Sequence, residues 1–142
     1  MPVRTWGFDP GSGGVRIPEP VKIETEKRLR EYADEHFAGR FTRLDIRFKG
    51  QFCYVDAYTE PELLENWPPP YSPETREQMI ERLRDTPTHL CRLRYFGHYY
   101  GENCWGFAFY TYSNERYELS VFPTGDFLGK PEEALEASSI YL

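Results

Sequence analysis

Residues 42–58, TRLDIRFKGQFCYVDAY, constrain the fold more than any other stretch of this chain. Successive side chains of a strand leave on opposite sides, so a strand with one buried face alternates apolar and polar residues. Leu44, Ile46, Phe48, Cys53, Val55 and Ala57 alternate in this way with Arg43, Asp45, Arg47, Phe52, Tyr54, Asp56 and Tyr58. The pattern predicts two antiparallel strands. Lys49-Gly50 is read as the two-residue turn, with glycine supplying the positive φ. That register pairs Phe48 with Gln51, Ile46 with Cys53, Leu44 with Val55 and Thr42 with Ala57 on an apolar face. Arg47 then meets Phe52, Asp45 meets Tyr54, Arg43 meets Asp56 and Phe41 meets Tyr58 on a mixed one. Arg43–Asp56 reads as a cross-strand ion pair and Arg47 over Phe52 as a cation–π contact, each worth about 0.2–1 kcal/mol.

The remaining elements follow from period and punctuation. Residues 20–38 read as a helix, with Leu29, Ala33 and Phe37 on one stripe and Gly39 at the C-terminal cap. Residues 60–72, EPELLENWPPPYS, are a proline-rich excursion in which Trp67 and Tyr71 are expected to pin the loop to the body. Its PPPY matches the short pattern recognised by WW domains, but a stiff surface loop is the simpler reading. Residues 72–87 read as a second helix, with Ser72 as N-cap, Pro73 at the first helical position and Thr75 followed by Gln78. Three strands are expected at 88–96, 104–112 and 115–122, with Ser113-Asn114 turning the last pair. Strand 104–112, CWGFAFYTY, is apolar or aromatic on both faces, which predicts a central strand covered on both sides. A short helix beginning near Pro131 closes the chain, with Glu132 and Glu133 in its first turn.

The expected fold class is therefore α+β: a single domain with an antiparallel sheet of about five strands and helices on one face, in the order αββαβββ plus a short C-terminal helix. Residues 1–18 are read as a flexible N-terminal arm and 19–142 as the domain. GSGG at 11–14 lacks the Lys-Ser/Thr and the preceding strand of a phosphate loop.

Composition narrows the function classes. No apolar run approaches the roughly 18–20 residues needed to cross a bilayer, and the N-terminus has no apolar signal segment, so the expectation is a cytoplasmic protein without a membrane partner. Cys53, Cys91 and Cys104 are an odd number without CxxC spacing and read as reduced thiols in strands. The net charge of −6 opposes nucleic-acid binding in bulk. Phe, Tyr and Trp make up 17% of the chain, more than one small domain readily hides, which predicts a homodimer through an aromatic-rich surface.

The chemistry-bearing residues form few recognisable sets. His89 and Cys91 alternate onto one face, but residues two apart on a strand run parallel rather than meeting, so no nucleophilic pair is expected. His36, His89 and His98 show no metal-ligand spacing, and no metal or other cofactor is expected. Asp45 and Asp56 lack the framing of paired catalytic acids. Arg43 and Arg47 share one strand face, and Arg92 and Arg94 share another. Brought together, the four would sit among Phe52, Tyr54 and Tyr58 as guanidinium groups suited to carboxylate or phosphate, with Asp45, Asp56 and Glu118 as opposing acids on the same surface. Arg43, Arg47, Tyr54, Asp56, Arg92 and Arg94 are thus the candidate ligand-binding residues, and no catalytic residue is assigned.

AGRFTRLDIRFKGQFCYVDAY, TPTHLCRLRYFG, FAFYTYSNERYE and GKPEEALEASSIYL resemble a family of small uncharacterised bacterial proteins over roughly residues 18–142. The resemblance implies a bacterial source and a self-contained domain, and carries no activity. The sequence reading is a non-catalytic cytoplasmic binding or interaction module that self-associates. The alternative is a small enzyme or ligand-binding protein whose sheet-face pocket takes an anionic small molecule or nucleic acid.

Overall fold

The computed structural model describes residues 12–97 and 105–142. Helix α1 (Glu19–His36) is followed by strands β1 (Arg43–Lys49) and β2 (Phe52–Tyr58), helix α2 (Arg76–Arg84), then β3 (Thr88–Tyr95), β4 (Trp105–Thr111), β5 (Arg116–Ser120), β6 (Leu128–Gly129) and helix α3 (Pro131–Ser138). The sheet is antiparallel in the order β1-β2-β3-β4-β5, with β6 pairing β4 beyond the end of β5. This is the expected α+β domain, with a sixth, two-residue strand that the sequence reading did not foresee.

The hairpin keeps its predicted faces but not its predicted pairs. Gly50 and Gln51 form the turn, and Gly50 has φ +61°. Glycine therefore occupies the first central position, as a type II′ turn requires, rather than the second. Moving the turn by one residue shifts every pair by two, which preserves parity and hence the face of each side chain. Leu44, Ile46, Cys53, Val55 and Ala57 are buried as expected. Arg43 now sits opposite Tyr58 with its guanidinium 4.0 Å from the ring centre, instead of pairing with Asp56. Arg47 lies opposite Tyr54, not Phe52.

Helices α1 and α3 cover the apolar face. Leu29 and Ala33 of α1, Phe37 just beyond it, and Ala134 and Leu135 of α3 pack with Cys53, Val55, Cys91, Leu93, Trp105 and Phe107 in one core. The two helices are tied to each other by a bidentate pair in which Arg28 donates to Glu132 at 2.7 and 3.0 Å. Ile17 also belongs to the core. Its N–H donates to the Gly50 carbonyl, and the Val15 N–H donates to that of Tyr95, so the last part of the segment assigned to the arm is tied to the sheet. Residues 1–11 of the assigned arm lie outside the described residues.

Strand β4 has neighbours on both sides but lies beside the central strand β3. Its first half is buried on both faces: Trp105 and Phe107 lie in the core, while Gly106 lies under the Phe96 ring. Phe109, Tyr110 and Thr111 are only partly covered. The β4–β5 turn takes four residues, Tyr112–Glu115, and Glu115 adopts φ +51°.

The segment between β2 and β3 departs most from expectation. Helix α2 is capped by Thr75, not Ser72. The Thr75 hydroxyl accepts from the Gln78 N–H, and the Gln78 side chain accepts from the Thr75 N–H. This reciprocal box satisfies two groups that a start at Pro73 would leave open. No residue of α2 is fully buried. Trp67 is 49% exposed and Tyr71 88%, so neither ring pins the loop. Arg76 does so instead, donating to the carbonyls of Leu64 and Trp67 at 2.8 and 2.6 Å. The Ser72 N–H donates to the Pro69 carbonyl and folds the PPPY stretch into a turn.

Gly129 explains β6. A Cβ at this position would lie 2.4–2.7 Å from three atoms of the buried Phe122 ring. Gly129→Ala is therefore expected to displace Phe122 and destabilise the fold by about 1–3 kcal/mol. Urea unfolding followed by tryptophan fluorescence measures this, and an unchanged midpoint would refute the packing account.

Candidate functional site

The helix-free face of the sheet carries the candidate residues in rows set by the register. Asp45, Asp56 and His89 form one row, Arg47, Tyr54, Arg92 and Ala108 the next, and Lys49, Phe52, Arg94 and Gly106 the third. Arg43 and Tyr58 stand in a row of their own at the far end. Of the six predicted residues, the structure thus gathers Arg47, Tyr54, Asp56, Arg92 and Arg94 and leaves Arg43 at the margin.

His89 reaches this face through an irregularity. Val55 pairs with Cys91 and Asp56 with His89, so Leu90 is an extra residue on β3. The bulge reverses the alternation, burying both Leu90 and Cys91 and turning His89 to the opposite side from Cys91. Bulges re-aim side chains in this manner and concentrate near functional sites. The shared His89–Cys91 face expected from simple alternation is therefore corrected: no Cys–His pair exists here. Cys91 is completely buried, and burial pushes its thiol up to about 12. Burial likewise raises Cys53 well above the ordinary thiol range. Cys104 and His98 lie outside the described residues.

Asp56 organises the polar part of the face. Its side chain is only 3% exposed, yet both oxygens are engaged: Arg47 donates to Oδ2 at 2.7 Å and His89 Nδ1 lies 2.9 Å from Oδ1. Arg47 also contacts Asp45 at 3.0 Å. An ionised carboxylate only accepts, so Nδ1 of His89 carries a proton, and in the neutral imidazole Nε2 is the acceptor. Nε2 has no hydrogen-bond partner among the described residues. The His89 N–H donates to the Tyr112 hydroxyl at 2.9 Å, and the imidazole packs on Tyr110 with ring centres 4.6 Å apart. Tyr117 contacts Tyr54, Tyr110 and His89. Burial first, and the Asp56 charge second, raise the Tyr117 phenol above the ordinary tyrosine range, keeping it a donor.

Arg92 is placed differently from Arg47. Its guanidinium lies 4.4 Å from the Phe52 ring centre and 5.4 Å from that of Tyr117, with no acidic partner among the described residues. Arg94 also approaches Phe52 and donates to the Gly13 carbonyl at 2.7 Å. Next to this cluster, and lined by neither Arg92 nor Arg94, lies a concavity of about 490 Å³ bounded by Arg47, Phe48, Lys49, Tyr54, His89 and Tyr117. It is a shallow cationic hollow with aromatic walls and a fixed imidazole. Among the described residues, no group of three or more His, Cys, Asp or Glu side chains is arranged to hold a metal ion. The sequence reading left Lys49, His89 and Tyr117 out of the site; for His89 the adjacent apolar pair Leu90-Cys91 was the available signal. Comparison of the chain with family profiles, curated proteins and solved structures finds no match.

Two outcomes follow from these environments. Both buried thiols hold their protons to higher pH in the folded state than in the unfolded chain. Their contribution to stability is present below about pH 8.5 and falls as pH rises beyond it. Urea midpoints between pH 8 and 10 are expected to decline, and to decline less in a Cys53→Ala, Cys91→Ala variant. Asp56→Asn removes the shared anion from Arg47 and His89 and is expected to cost about 1–3 kcal/mol. It should also release the Nδ1–H tautomer; an unchanged nitrogen spectrum of the His89 ring would refute the assignment.

Proposed function

We propose that this chain is a cytoplasmic binding module that holds an anionic group on the helix-free face of its sheet. Arg92 carries the reading. A guanidinium stacked on rings has its faces satisfied by the ring electrons but leaves its N–H edge seeking acceptors. Arg47 shows what such a group does when acids are near: it engages two of them. Arg92, with no acid beside it among the described residues, offers its N–H edge to a carboxylate or phosphate arriving from solvent. Arg92 touches the Tyr117 ring, and Tyr117 also lines the neighbouring hollow, where Lys49 and Arg47 add charge and Tyr54 supplies a second flat wall for an apolar or aromatic portion of the ligand. Self-association is part of the same reading, because Leu64, Trp67 and Tyr71 stand in solvent.

The Asp56–His89 geometry favours a second reading, a small enzyme in which Nε2 of His89 takes a proton from a bound substrate. A carboxylate behind the imidazole fixes the tautomer that such a step needs.

Thermal shifts with inorganic phosphate, sugar phosphates, nucleotides and aromatic carboxylates test both readings. At least one class is expected to raise the melting temperature, and Arg92→Gln is expected to weaken that binding on the order of tenfold. Flat curves across all four classes would remove the anion site. If a ligand is converted rather than merely held, His89→Gln should stop turnover while the thermal shift survives.

A further inference from the structure

The 59–87 excursion contains seven acidic and three basic side chains, so it holds −4 of the chain's net −6. Its arginines are spent internally: Arg76 on backbone carbonyls, Arg82 on Glu74 and Arg84 on Glu60. Glu62, Glu65, Glu77, Glu81 and Asp85 have no ion-pair partner among the described residues. The same segment exposes Leu64 to 78%, besides Trp67 and Tyr71. It is thus a braced, acidic projection with apolar and aromatic residues at its surface. Among the described residues the helix-free face has the opposite character, with Arg43, Arg47, Lys49, Arg92 and Arg94 against Asp45 and Asp56, a balance of +3.

We propose that the anionic ligand of this face is the acidic excursion of a second copy, each copy placing its excursion on the other's sheet in a symmetric dimer. The inference rests on the anion-binding reading of the face and names its occupant. Charge complementarity selects this occupant: among the described residues, five of the projection's seven acids have no ion-pair cation and Arg92 has no acid. The aromatic residues match as well, since Trp67 and Tyr71 can stack on guanidinium planes that already accept Phe52 and Tyr117. A two-fold axis makes both contacts at once, so a moderate individual contact is doubled. The capping box and the Arg76 clasp hold the excursion in shape beforehand, which lowers the ordering cost of docking.

Light scattering on the wild-type chain at micromolar concentration is expected to give a mass near 34 kDa, twice the 16.8 kDa of one chain. Trp67→Ser with Tyr71→Ser disables the projection, and Lys49→Glu with Arg92→Glu disables the face. Each variant is expected to be monomeric with an unchanged circular dichroism spectrum. Mixing the two restores one intact projection–face contact and is expected to regenerate the dimer at raised concentration, whereas neither variant dimerises alone. A monomeric wild type, a dimer surviving in either variant, or a mixture that stays monomeric would each overturn the proposal. A surviving dimer would point to another surface, such as the apolar groove of about 340 Å³ lined by Phe109, Val121, Ile140 and Tyr141. A monomeric wild type that still shows a phosphate-induced thermal shift, lost in the Arg92→Glu chain, would leave the anion site standing and remove only the second copy.

Discussion

The carboxylate of Asp56 holds the working face of this sheet together. An ionised carboxylate withdrawn from water is expensive unless its oxygens are matched by donors. Here a guanidinium takes one oxygen and an imidazole the other, and the two donors come from the strands on either side of β2. One buried anion therefore fixes the side-chain geometry of three adjacent strands. It orients Arg47 toward the hollow, accepts the hydrogen bond from His89 Nδ1 and, after burial, adds to the raising of the Tyr117 phenol. Arg47 is half exposed and His89 partly so, which makes Asp56 the one fully buried charge in the group. Its two partners are free to meet solvent or a ligand on their outer sides.

That arrangement exists because β2 uses both of its faces. Cys53, Val55 and Ala57 complete the core beneath α1 and α3, while Phe52, Tyr54 and Asp56 furnish the open side. A sheet with helices on one side only must either solvate its second face or cover it. This one mixes charged groups with a ring cluster: Tyr54, Tyr110 and Tyr117 pack edge to face at centre distances of 5.2–5.6 Å. The aromatic excess noted in the sequence thus has two destinations, a core of Tyr95, Trp105, Phe107 and Phe122, and a tyrosine cluster on the outside.

What could be read from residues alone depended on which physical rule governed each element. Parity along a strand survives errors of register, so the faces of the 42–58 hairpin were legible even though the turn lies one residue further on. The individual pairs were not, because both Lys49-Gly50 and Gly50-Gln51 contain the glycine a two-residue turn needs. The arginine pairs at 43/47 and 92/94 announced a shared surface, and three of those four arginines meet there with Tyr54 and Asp56 of β2. His89 was missed because alternation was carried straight through HLC, where two neighbouring apolar residues mark a change of phase. Helix α2 was placed three residues too early because Ser72-Pro73 and Thr75–Gln78 are both legitimate starts, and only the second closes two backbone hydrogen bonds. Strand β6 left no periodic trace at all: two residues cannot, and its reason for existing is the Phe122 ring lying against Gly129.

The whole-chain charge shows the limits of a sum. A total of −6 argues against an anionic ligand only if the charge is spread evenly. It is not spread evenly, since one projection holds most of the excess and the open sheet face carries the opposite sign. Within a Debye length of about 8–10 Å at ordinary ionic strength, an approaching carboxylate senses the local cluster rather than the total. The face can therefore attract anions on a protein that is acidic as a whole. On the anion-binding reading proposed above, this segregation makes the projection and the face complementary and suits the face to a partner that presents acid and aromatic groups together.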